Sequence, residues 1–238
     1  MKVAWDDYQG VLFDLDGVIT PTAEVHMRAW SRMFNAYLDA RGVAAPYTDQ
    51  DYYDHVDGRP RYDGVRSFLT SRGILLPEGL PDDPPTAETV AGLGNRKNEV
   101  FGEVLRNEGV TAYPGSVRLL ESLRARGMKM AIVSSSRNAP DVLDAAGVTG
   151  FFDTVVHGGV AAAKGLAGKP APDTFWEAAD ELGVPHDSAV VVEDATSGVA
   201  AGAAGHFGLV IGVNRGTGSD ALLRSGADVV VDDLEELL

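Results

Sequence analysis

The sequence predicts an α/β protein: a Rossmann-like, doubly wound parallel sheet with an α-helical domain inserted after its first strand. Three observations support this prediction. From Tyr113 onward, short β-branched runs alternate with helical stretches; those runs are predominantly apolar; and residues 22–109 show helical patterns without a convincing buried strand. Uninterrupted apolar strands joined by helices are typical of a parallel sheet that is covered on both faces.

The predicted strands begin with the apolar run at 10–14 and continue in the second half of the chain. The later strands are predicted at 128–133, 154–156, 189–192, 209–213 and 228–231. Helical patterns between them cover 116–126, 138–146, 173–182 and 197–204. We therefore assign residues 1–21 and 110–238 to an α/β core domain and residues 22–109 to a helical cap domain.

Three helices are predicted within residues 22–109. The first opens at Pro21, since proline suits the first helical position, where its missing N–H costs nothing. A second helix follows Arg61, and a third follows the proline-rich stretch at 81–85. Apolar residues recur at helical spacing in each of them, so each helix has a face to bury.

The composition excludes several classes of protein and partner. The 238 residues carry a net charge of −15 and contain no cysteine. Such an acidic chain repels nucleic acid and anionic membrane, and without cysteine it has no disulfides, no thiolate catalysis and no Cys-ligated zinc. No apolar run approaches the ~18 residues of a membrane helix, and the first ten residues lack the apolar stretch of a signal peptide. We therefore expect a cytoplasmic protein with no nucleic-acid or membrane partner, and take it as a monomer by default.

Polar residues follow the predicted strands at the edge where open parallel sheets bind their ligands. Lys169 stands just before the helix predicted at 173–182. The segments that follow strands are Asp14-Leu15-Asp16-Gly17, Ser134-Ser135-Ser136-Arg137-Asn138 and Glu193-Asp194. We expect all these groups to converge on one edge of the sheet.

Asp14 and Asp16 are two residues apart in extended backbone, so both carboxylates point to the same side. With Glu193 and Asp194 opposite, such carboxylates repel one another unless a cation lies between them. Oxygen ligands without His or Cys favour Mg²⁺. An isolated Asp-X-Asp pair is also compatible with a capped strand end, but the polar residues at the other strand ends favour a catalytic site.

The chemistry expected of this cluster is phosphoryl transfer. A carboxylate beside Mg²⁺ is a competent nucleophile toward phosphorus, and a second carboxylic acid can protonate the leaving oxygen. Lys169 and the Ser134 hydroxyl would neutralise and orient the equatorial phosphoryl oxygens.

Four motifs resemble those of the haloacid dehalogenase superfamily of phosphotransferases, in the expected order and over nearly the whole chain. They are Phe13-Asp14-Leu15-Asp16-Gly17-Val18, Ser134, Lys169-Pro170 and Glu193-Asp194. Within that superfamily the sequence is similar to the β-phosphoglucomutases. The segments that show this similarity are residues 14–20, Thr22-Ala23-Glu24, His26, Arg28-Ala29-Trp30, Arg96-Lys97-Asn98 and Lys169-Pro170-Ala171-Pro172-Asp173.

The resemblance implies that Asp14 becomes an aspartyl-phosphate and that Asp16 serves as general acid and base. It implies Mg²⁺ held by Asp14, the Asp16 backbone carbonyl, Glu193 and Asp194. The catalytic residues that it implies are Asp14, Asp16, Ser134 and Lys169. The substrate-binding residues that it implies are Thr22, His26, Trp30, Arg61, Lys97, Ser134, Ser136, Arg137 and Asn138.

The resemblance divides the substrate-binding residues by role. Arg61, Ser136, Arg137 and Asn138 would hold the phosphate that is not being transferred. His26 and Lys97 would engage Asp16 or the sugar and report closure of the cap.

Pattern alone leaves alternatives for three of these residues. Lys97 falls on the apolar face of its helix, where a lysine often snorkels toward solvent. His26 is also compatible with a buried core histidine, and Arg61 with an ordinary surface arginine. The resemblance favours a functional role for all three.

The leading interpretation is a phosphosugar mutase that converts β-glucose 1-phosphate into glucose 6-phosphate by way of an aspartyl-phosphate. The alternative is a sugar-phosphate phosphatase of the same superfamily, in which water attacks the aspartyl-phosphate. Pro21, where the mutases usually carry aspartate, keeps the phosphatase open. A non-catalytic sugar-phosphate sensor is a third interpretation, but it would be expected to lose the nucleophile, and Asp14 is present. The sequence does not identify the sugar.

Overall fold

The chain divides into two compact units in a computed structural model that describes residues 3–238, apart from the side chains of Val104 and Glu108. Met1–Pro21 and Val110–Leu238 form one unit, which we call the α/β unit. Thr22–Gly109 forms the other, which we call the helical unit.

The strands and helices are numbered in chain order. The strands are β1 (Gly10–Phe13), β2 (Lys129–Val133), β3 (Thr154–Val156), β4 (Ala189–Glu193), β5 (Leu209–Val213) and β6 (Val229–Val231). The helices are α1 (Thr22–Ala40), α2 (Asp49–His55), α3 (Arg61–Ser71), α4 (Val90–Glu108), α5 (Pro114–Ala125), α6 (Ala139–Ala146), α7 (Gly158–Lys164), α8 (Asp173–Leu182), α9 (Thr196–Ala204) and α10 (Ser219–Arg224).

Within residues 3–238, six strands form one parallel sheet in the order β3-β2-β1-β4-β5-β6. The first strand of the chain lies at the centre, where Leu12 pairs with Ala131 of β2 and with Val191 of β4. The strand order reverses beside β1, and open parallel sheets bind ligands at the carboxyl ends of strands at such a point. The predicted α/β fold is confirmed.

The strands of the α/β unit are apolar because the sheet is buried. Leu12, Val191 and Val133 are completely buried, and Phe175 of α8 and Val199 of α9 join them in one core cluster. Burying apolar surface of this kind stabilises the unit by about 25 cal/mol per Å². A rigid sheet therefore supports the loops that leave its carboxyl edge.

The helical unit has its own apolar core. Trp30, Phe34 and Leu38 lie on one face of α1, as their spacing predicts, and are buried together with Phe68 of α3 and Leu93 of α4. The ring centroids of Phe34 and Phe68 are 4.3 Å apart. Aromatic contacts at that distance contribute beyond the area they bury.

Helix α2 begins with a reciprocal cap. The Thr48 hydroxyl accepts from the backbone N–H of Asp51, and the Asp51 carboxylate accepts from the backbone N–H of Thr48 at 2.8 Å. Arg72, just beyond α3, donates to the same carboxylate at 2.8 Å. Asp51 therefore fixes the start of α2 and also connects it to the end of α3.

The first helix begins at Thr22, so the prediction that Pro21 occupies its first position is wrong by one residue. Thr20 forms an isolated parallel bridge with Asp16 and is therefore extended. Proline holds the preceding residue in extended backbone, and the helix can start only after this bridge.

Helices α2, α7 and α10 were not predicted. They have seven, seven and six residues respectively, too few for a helical period to be distinguished from a loop. Helix α7 lies within the stretch that precedes Lys169. Among the described residues, no helix combines the length and the apolar character needed to cross a membrane.

Candidate active site

The loop after β1 holds Asp14 at the carboxyl edge of the sheet. The Asp14 N–H donates to the Val192 carbonyl of β4 at 2.9 Å, which continues the sheet pairing by one residue. Gly17 then turns the chain at φ +87°, and its N–H donates to the Thr20 carbonyl at 2.7 Å. Glycine adopts that backbone region without the penalty that a side chain imposes. Asp14 is consequently buried, while Asp16 is half-buried.

Lys169 is the cation at the centre of the site. Its Nζ donates to Asp14 Oδ1 at 2.5 Å, to Glu193 Oε1 at 2.6 Å and to the Val133 carbonyl at 2.9 Å. These three acceptors come from the carboxyl ends of β1, β4 and β2, so one ammonium group connects three neighbouring strands. Burial would lower the pKa of Lys169, but the two carboxylates more than offset it and hold that pKa above its ordinary value. The side chain is therefore a permanent positive charge.

The surroundings of Asp14 disfavour the ionised form of its carboxyl group. Burial raises its pKa well above the ordinary value, and the carboxylates of Glu193 and Asp16 raise it further, against the lowering effect of Lys169. A second cation beside Asp14 would lower this pKa and keep the group ionised, as a nucleophile must be.

Asp194 packs directly against the loop that carries Asp14. A Cβ atom at position 17 would stand 1.9 Å from Asp194 Oδ2, so the carboxylate occupies the space that any side chain at Gly17 would need. Glu193 lies in the same way against Gly198 of α9, where a Cβ would be 1.7 Å from Oε1. The two glycines thus let the acidic side chains at the carboxyl end of β4 closely approach the backbone at Gly17 and Gly198.

The segment after β2 folds into a compact polar loop. Ser134 is buried, and its hydroxyl accepts from the Ser136 N–H at 3.1 Å. The Ser136 hydroxyl in turn accepts from the N–H of Asn138, the residue before α6, at 3.2 Å. Arg137 projects from this loop as an exposed side chain. Backbone and hydroxyl groups therefore hold the loop beside the end of β2.

Lys97 is buried in the helical unit, and only 3% of it is exposed. Its Nζ contacts His26 Nδ1 and lies 5.1 Å from the centroid of the Trp30 ring and 5.0 Å from that of Phe101. The His26 ring stacks on Phe101 with centroids 4.1 Å apart. The snorkelling alternative for Lys97 is therefore wrong: this is an ammonium group enclosed by aromatic rings and an imidazole.

Two further predicted residues lie in the same unit. Thr22, the first residue of α1, is buried. Arg61, the first residue of α3, donates from Nη2 to Asn98 Oδ1 of α4 at 2.8 Å. Arg61 is thus held between two helices and is not an unconstrained surface arginine. The structure brings together Asp14, Lys169, Glu193 and Asp194 in the α/β unit, while Thr22, His26, Trp30, Arg61 and Lys97 belong to the helical unit.

The donor chemistry of the acidic loops fits a hard divalent cation. Within residues 3–238, no three His, Cys, Asp or Glu side chains are arranged as a ready metal centre. Lys169 already contacts Asp14 and Glu193, and the other Glu193 oxygen accepts from the Ala195 N–H at 2.9 Å. Mg²⁺, however, is commonly held by only one or two carboxylates together with water and phosphate oxygens. A site of carboxylates and a backbone carbonyl fits that preference.

Sequence reasoning missed two residues that hydrogen-bond to the backbone of the acidic loops. Arg215 donates to the Gly17 carbonyl, and Thr217 donates to the Asp194 carbonyl. Both follow β5, a strand whose carboxyl end lies at the same edge of the sheet. The same rule, applied to that strand, would have found the polar stretch that contains them.

The fold and the site together define the class: a parallel α/β enzyme with an acidic, lysine-centred site at the carboxyl edge of its sheet. A family model described as haloacid dehalogenase-like hydrolase matches residues 8–206. The chain belongs to this family, and the resemblance in sequence is confirmed.

Relatives within the family include both mutases and a phosphatase. A β-phosphoglucomutase of Mycobacterium bovis is 52% identical over 237 residues, covering 95% of this chain and 90% of that protein. A phosphorylated carbohydrates phosphatase of Thermotoga maritima is 28% identical, covering 97% of this chain and 96% of that protein. The solved structure of a β-phosphoglucomutase from Clostridium difficile is 25% identical, with a TM-score of 0.77 over 97% of this chain and 93% of that one.

Proposed function

We propose that the chain is a phosphosugar mutase of the β-phosphoglucomutase type, which converts β-glucose 1-phosphate into glucose 6-phosphate. The observation that carries the proposal is the buried contact of the Lys169 ammonium with the carboxylates of Asp14 and Glu193. It places the carboxyl group of the proposed nucleophile and one fixed positive charge at the same point. The 52% identity to the mycobacterial mutase supports the choice of reaction.

In the proposed first half-reaction, the Asp14 carboxylate attacks phosphorus and the bond from phosphorus to the sugar oxygen breaks. Asp16 protonates the leaving oxygen, so an aspartyl-phosphate and a free sugar hydroxyl result. In the second half-reaction, a hydroxyl of a sugar monophosphate attacks that phosphorus and gives its proton to Asp16. The bond from phosphorus to Asp14 breaks, so a bisphosphorylated sugar and a free Asp14 carboxylate result. A bisphosphorylated sugar connects the two halves and turns round between them. Lys169 and Ser134 would neutralise and orient the phosphoryl oxygens throughout.

We propose Mg²⁺ as the cofactor, held by the Asp14 carboxylate, the Asp16 backbone carbonyl, Glu193 and Asp194. The raised pKa of Asp14, which burial causes first and neighbouring carboxylates increase, supports the need for a further cation. When bound, such an ion neutralises part of the negative charge of a phosphoryl group. Since Glu193 already binds Lys169 and the Ala195 N–H, Asp194, the residue after β4, is better suited to the ion.

A mutase must also bind the phosphate that is not being transferred. We propose Arg61, Ser136, Arg137 and Asn138 for that role. Asn98 pre-orients the Arg61 guanidinium, and a guanidinium matches phosphate in geometry and charge.

The sugar would meet the remaining predicted residues of the helical unit. We propose that Lys97 and His26 engage Asp16 or the sugar, and that Thr22 and Trp30 complete the substrate site. Lys97 supports this role because its ammonium group is held beside His26 and the rings of Trp30 and Phe101.

A phosphatase is the second candidate function, since the relative from Thermotoga maritima is a phosphatase of phosphorylated carbohydrates. The chemistry differs in one respect: water attacks the aspartyl-phosphate in place of a sugar hydroxyl. Pro21 favours this candidate, because it stiffens the connection between the units where the mutases usually carry aspartate.

One experiment distinguishes the candidates. The protein is incubated with Mg²⁺, β-glucose 1-phosphate and a trace of the 1,6-bisphosphate, and glucose 6-phosphate and free phosphate are measured together. We expect fast formation of glucose 6-phosphate with little free phosphate. Free phosphate in amounts equal to the substrate consumed would establish the phosphatase, and binding without either product would leave a sensor.

A further inference from the structure

The loop after β5 contacts both acidic loops of the site. We call residues 214–218 the β5 loop. Asn214 holds it in shape, since its Oδ1 accepts from the Gly218 N–H at 3.1 Å and its Nδ2 donates to Asp232 at 2.9 Å. Two side chains of this loop, Arg215 and Thr217, then reach backbone carbonyls near the catalytic carboxylates.

Arg215 connects the loop of Asp14 to the end of the chain. Its Nε donates to the Gly17 carbonyl at 3.0 Å, and its Nη1 donates to the Asp232 carbonyl at 2.9 Å. The guanidinium also lies 4.0 Å from the centroid of the Tyr113 ring. Its planar fork is thus held at several points, a geometry that a lysine cannot reproduce.

Thr217 makes the corresponding contact to the loop of Asp194. Its hydroxyl donates to the Asp194 carbonyl at 3.2 Å. Gly17 and Asp194 also touch directly, since the Asp194 carboxylate fills the space beside the Gly17 backbone. The β5 loop therefore hydrogen-bonds to a backbone carbonyl in each acidic loop, and the two acidic loops pack against each other.

We propose that Arg215 and Thr217 are positioning residues that set the separation of the two acidic loops and so the affinity of the site for a divalent cation. Neither Arg215 nor Thr217 is among the proposed ligands. Arg215 binds the carbonyl of Gly17, which follows the ligand Asp16, and Thr217 binds the carbonyl of Asp194, which is itself a ligand. The inference rests on the proposed cofactor.

Charge and positioning predict opposite results for Arg215. If the guanidinium acted only as a nearby positive charge, its removal would strengthen cation binding, because like charges repel. If it acts by holding the Gly17 carbonyl, its removal weakens cation binding even though a repulsive charge has gone. Groups that orient metal ligands typically change metal affinity by about 10- to 100-fold when they are removed.

The test is calorimetric titration of the full chain with Mg²⁺ alone, without substrate, alongside urea unfolding of each variant. We expect Arg215→Met to raise the Kd for Mg²⁺ about tenfold, and Arg215→Lys to raise it nearly as much. Thr217→Val should raise the Kd severalfold, while Thr217→Ser, which keeps the hydroxyl, should restore it. Arg118→Met is the matched control: Arg118 pairs with Glu235 near the same end of the chain and contacts neither acidic loop.

Several results would overturn the proposal. Unchanged or tighter Mg²⁺ binding by Arg215→Met, with only a loss of unfolding free energy, would show a structural or purely electrostatic role. If Arg215→Met does not fold, Thr217→Val against Thr217→Ser decides, and equal Kd values for that pair would contradict the positioning role. Failure of the wild-type protein itself to bind Mg²⁺ would instead overturn the proposed cofactor, and this inference with it.

Discussion

Two lysines five residues apart, Lys164 and Lys169, each contact two carboxylates but differ in burial. Lys169 is buried between Asp14 and Glu193, while Lys164 pairs with Glu177 and Glu181 at the surface. Removing one partner of a buried ion pair leaves an uncompensated charge, whereas exposed pairs contribute little.

We therefore expect Lys169→Met to lower the free energy of unfolding by about 3–5 kcal/mol. Lys164→Met, the same substitution at an exposed site, should cause little or no measurable change. Urea denaturation of both variants in EDTA checks this. Equal effects at the two positions would show that the charge of Lys169 does not stabilise the folded site.

Asp14 illustrates the conflict between activity and stability. Its pKa is raised by burial, by Glu193 and by Asp16, so its ionised form is disfavoured in the folded protein without metal. Asp14→Asn should abolish turnover, since an amide cannot accept the phosphoryl group, yet the unfolding free energy in EDTA should not fall. Product formation and urea denaturation are measured on the same preparations, with Asp6→Asn as an exposed control. Substantial residual turnover would contradict the nucleophilic role.

Among the elements, helix α2 depends most clearly on one side chain. Burial alone would raise the pKa of Asp51, but hydrogen bonds from Thr48 and the charge of Arg72 outweigh it and hold that pKa below its ordinary value. Asp51 therefore contributes stability above its unfolded pKa of about 3.9, and the contribution is lost as pH falls through the lower folded pKa.

Asp51→Asn should consequently lower the unfolding free energy of the helical unit by about 1 kcal/mol at pH 7. The difference from the wild type should shrink as the pH approaches 3. Thermal unfolding at both pH values tests this, with Asp49→Asn, on the same first turn of α2, as the control. A difference that is independent of pH would mean that the carboxylate charge has no part in the cap.

Some features of the strands and helices could be predicted from the sequence and others could not. The central strands were predictable because a buried parallel strand is apolar throughout, and Asp14 and Lys169 because parallel strands place their carboxyl ends at one edge. The same rule leads to the polar stretch that contains Arg215 and Thr217, but their contacts are with backbone carbonyls, which no residue pattern displays. Lys97 was placed on an apolar face correctly, but its burial depends on His26 from another helix, and one helical period cannot show that.

At the scale of the whole molecule, each unit buries its own core. Phe34 belongs to the core of the helical unit and Val191 to that of the α/β unit. Phe34→Ala should lower the free energy of unfolding by about 3–5 kcal/mol, and Val191→Ala should lower it somewhat less. If the units open separately, each variant should accelerate amide hydrogen exchange mainly in its own unit.

Hydrogen exchange read by mass spectrometry distinguishes the two patterns. Peptides from 22–109 should lose protection in Phe34→Ala, while peptides from β1 and β4 keep theirs, and Val191→Ala should show the reverse. Loss of protection throughout the chain in either variant would show that the molecule unfolds as a single cooperative unit.

The central position of β1 has a consequence for how the chain comes to be folded on the ribosome. This strand is synthesised first, but its neighbours begin only at Lys129 and Ala189. The helical unit, by contrast, is one continuous stretch that is complete by Gly109. Contacts between residues far apart in the sequence form late. The helices of the helical unit should therefore be ordered before β1 pairs with β2 and β4. Pulse-labelled refolding should find the amides of α1 and α4 protected before those of β1, and the opposite order would contradict it.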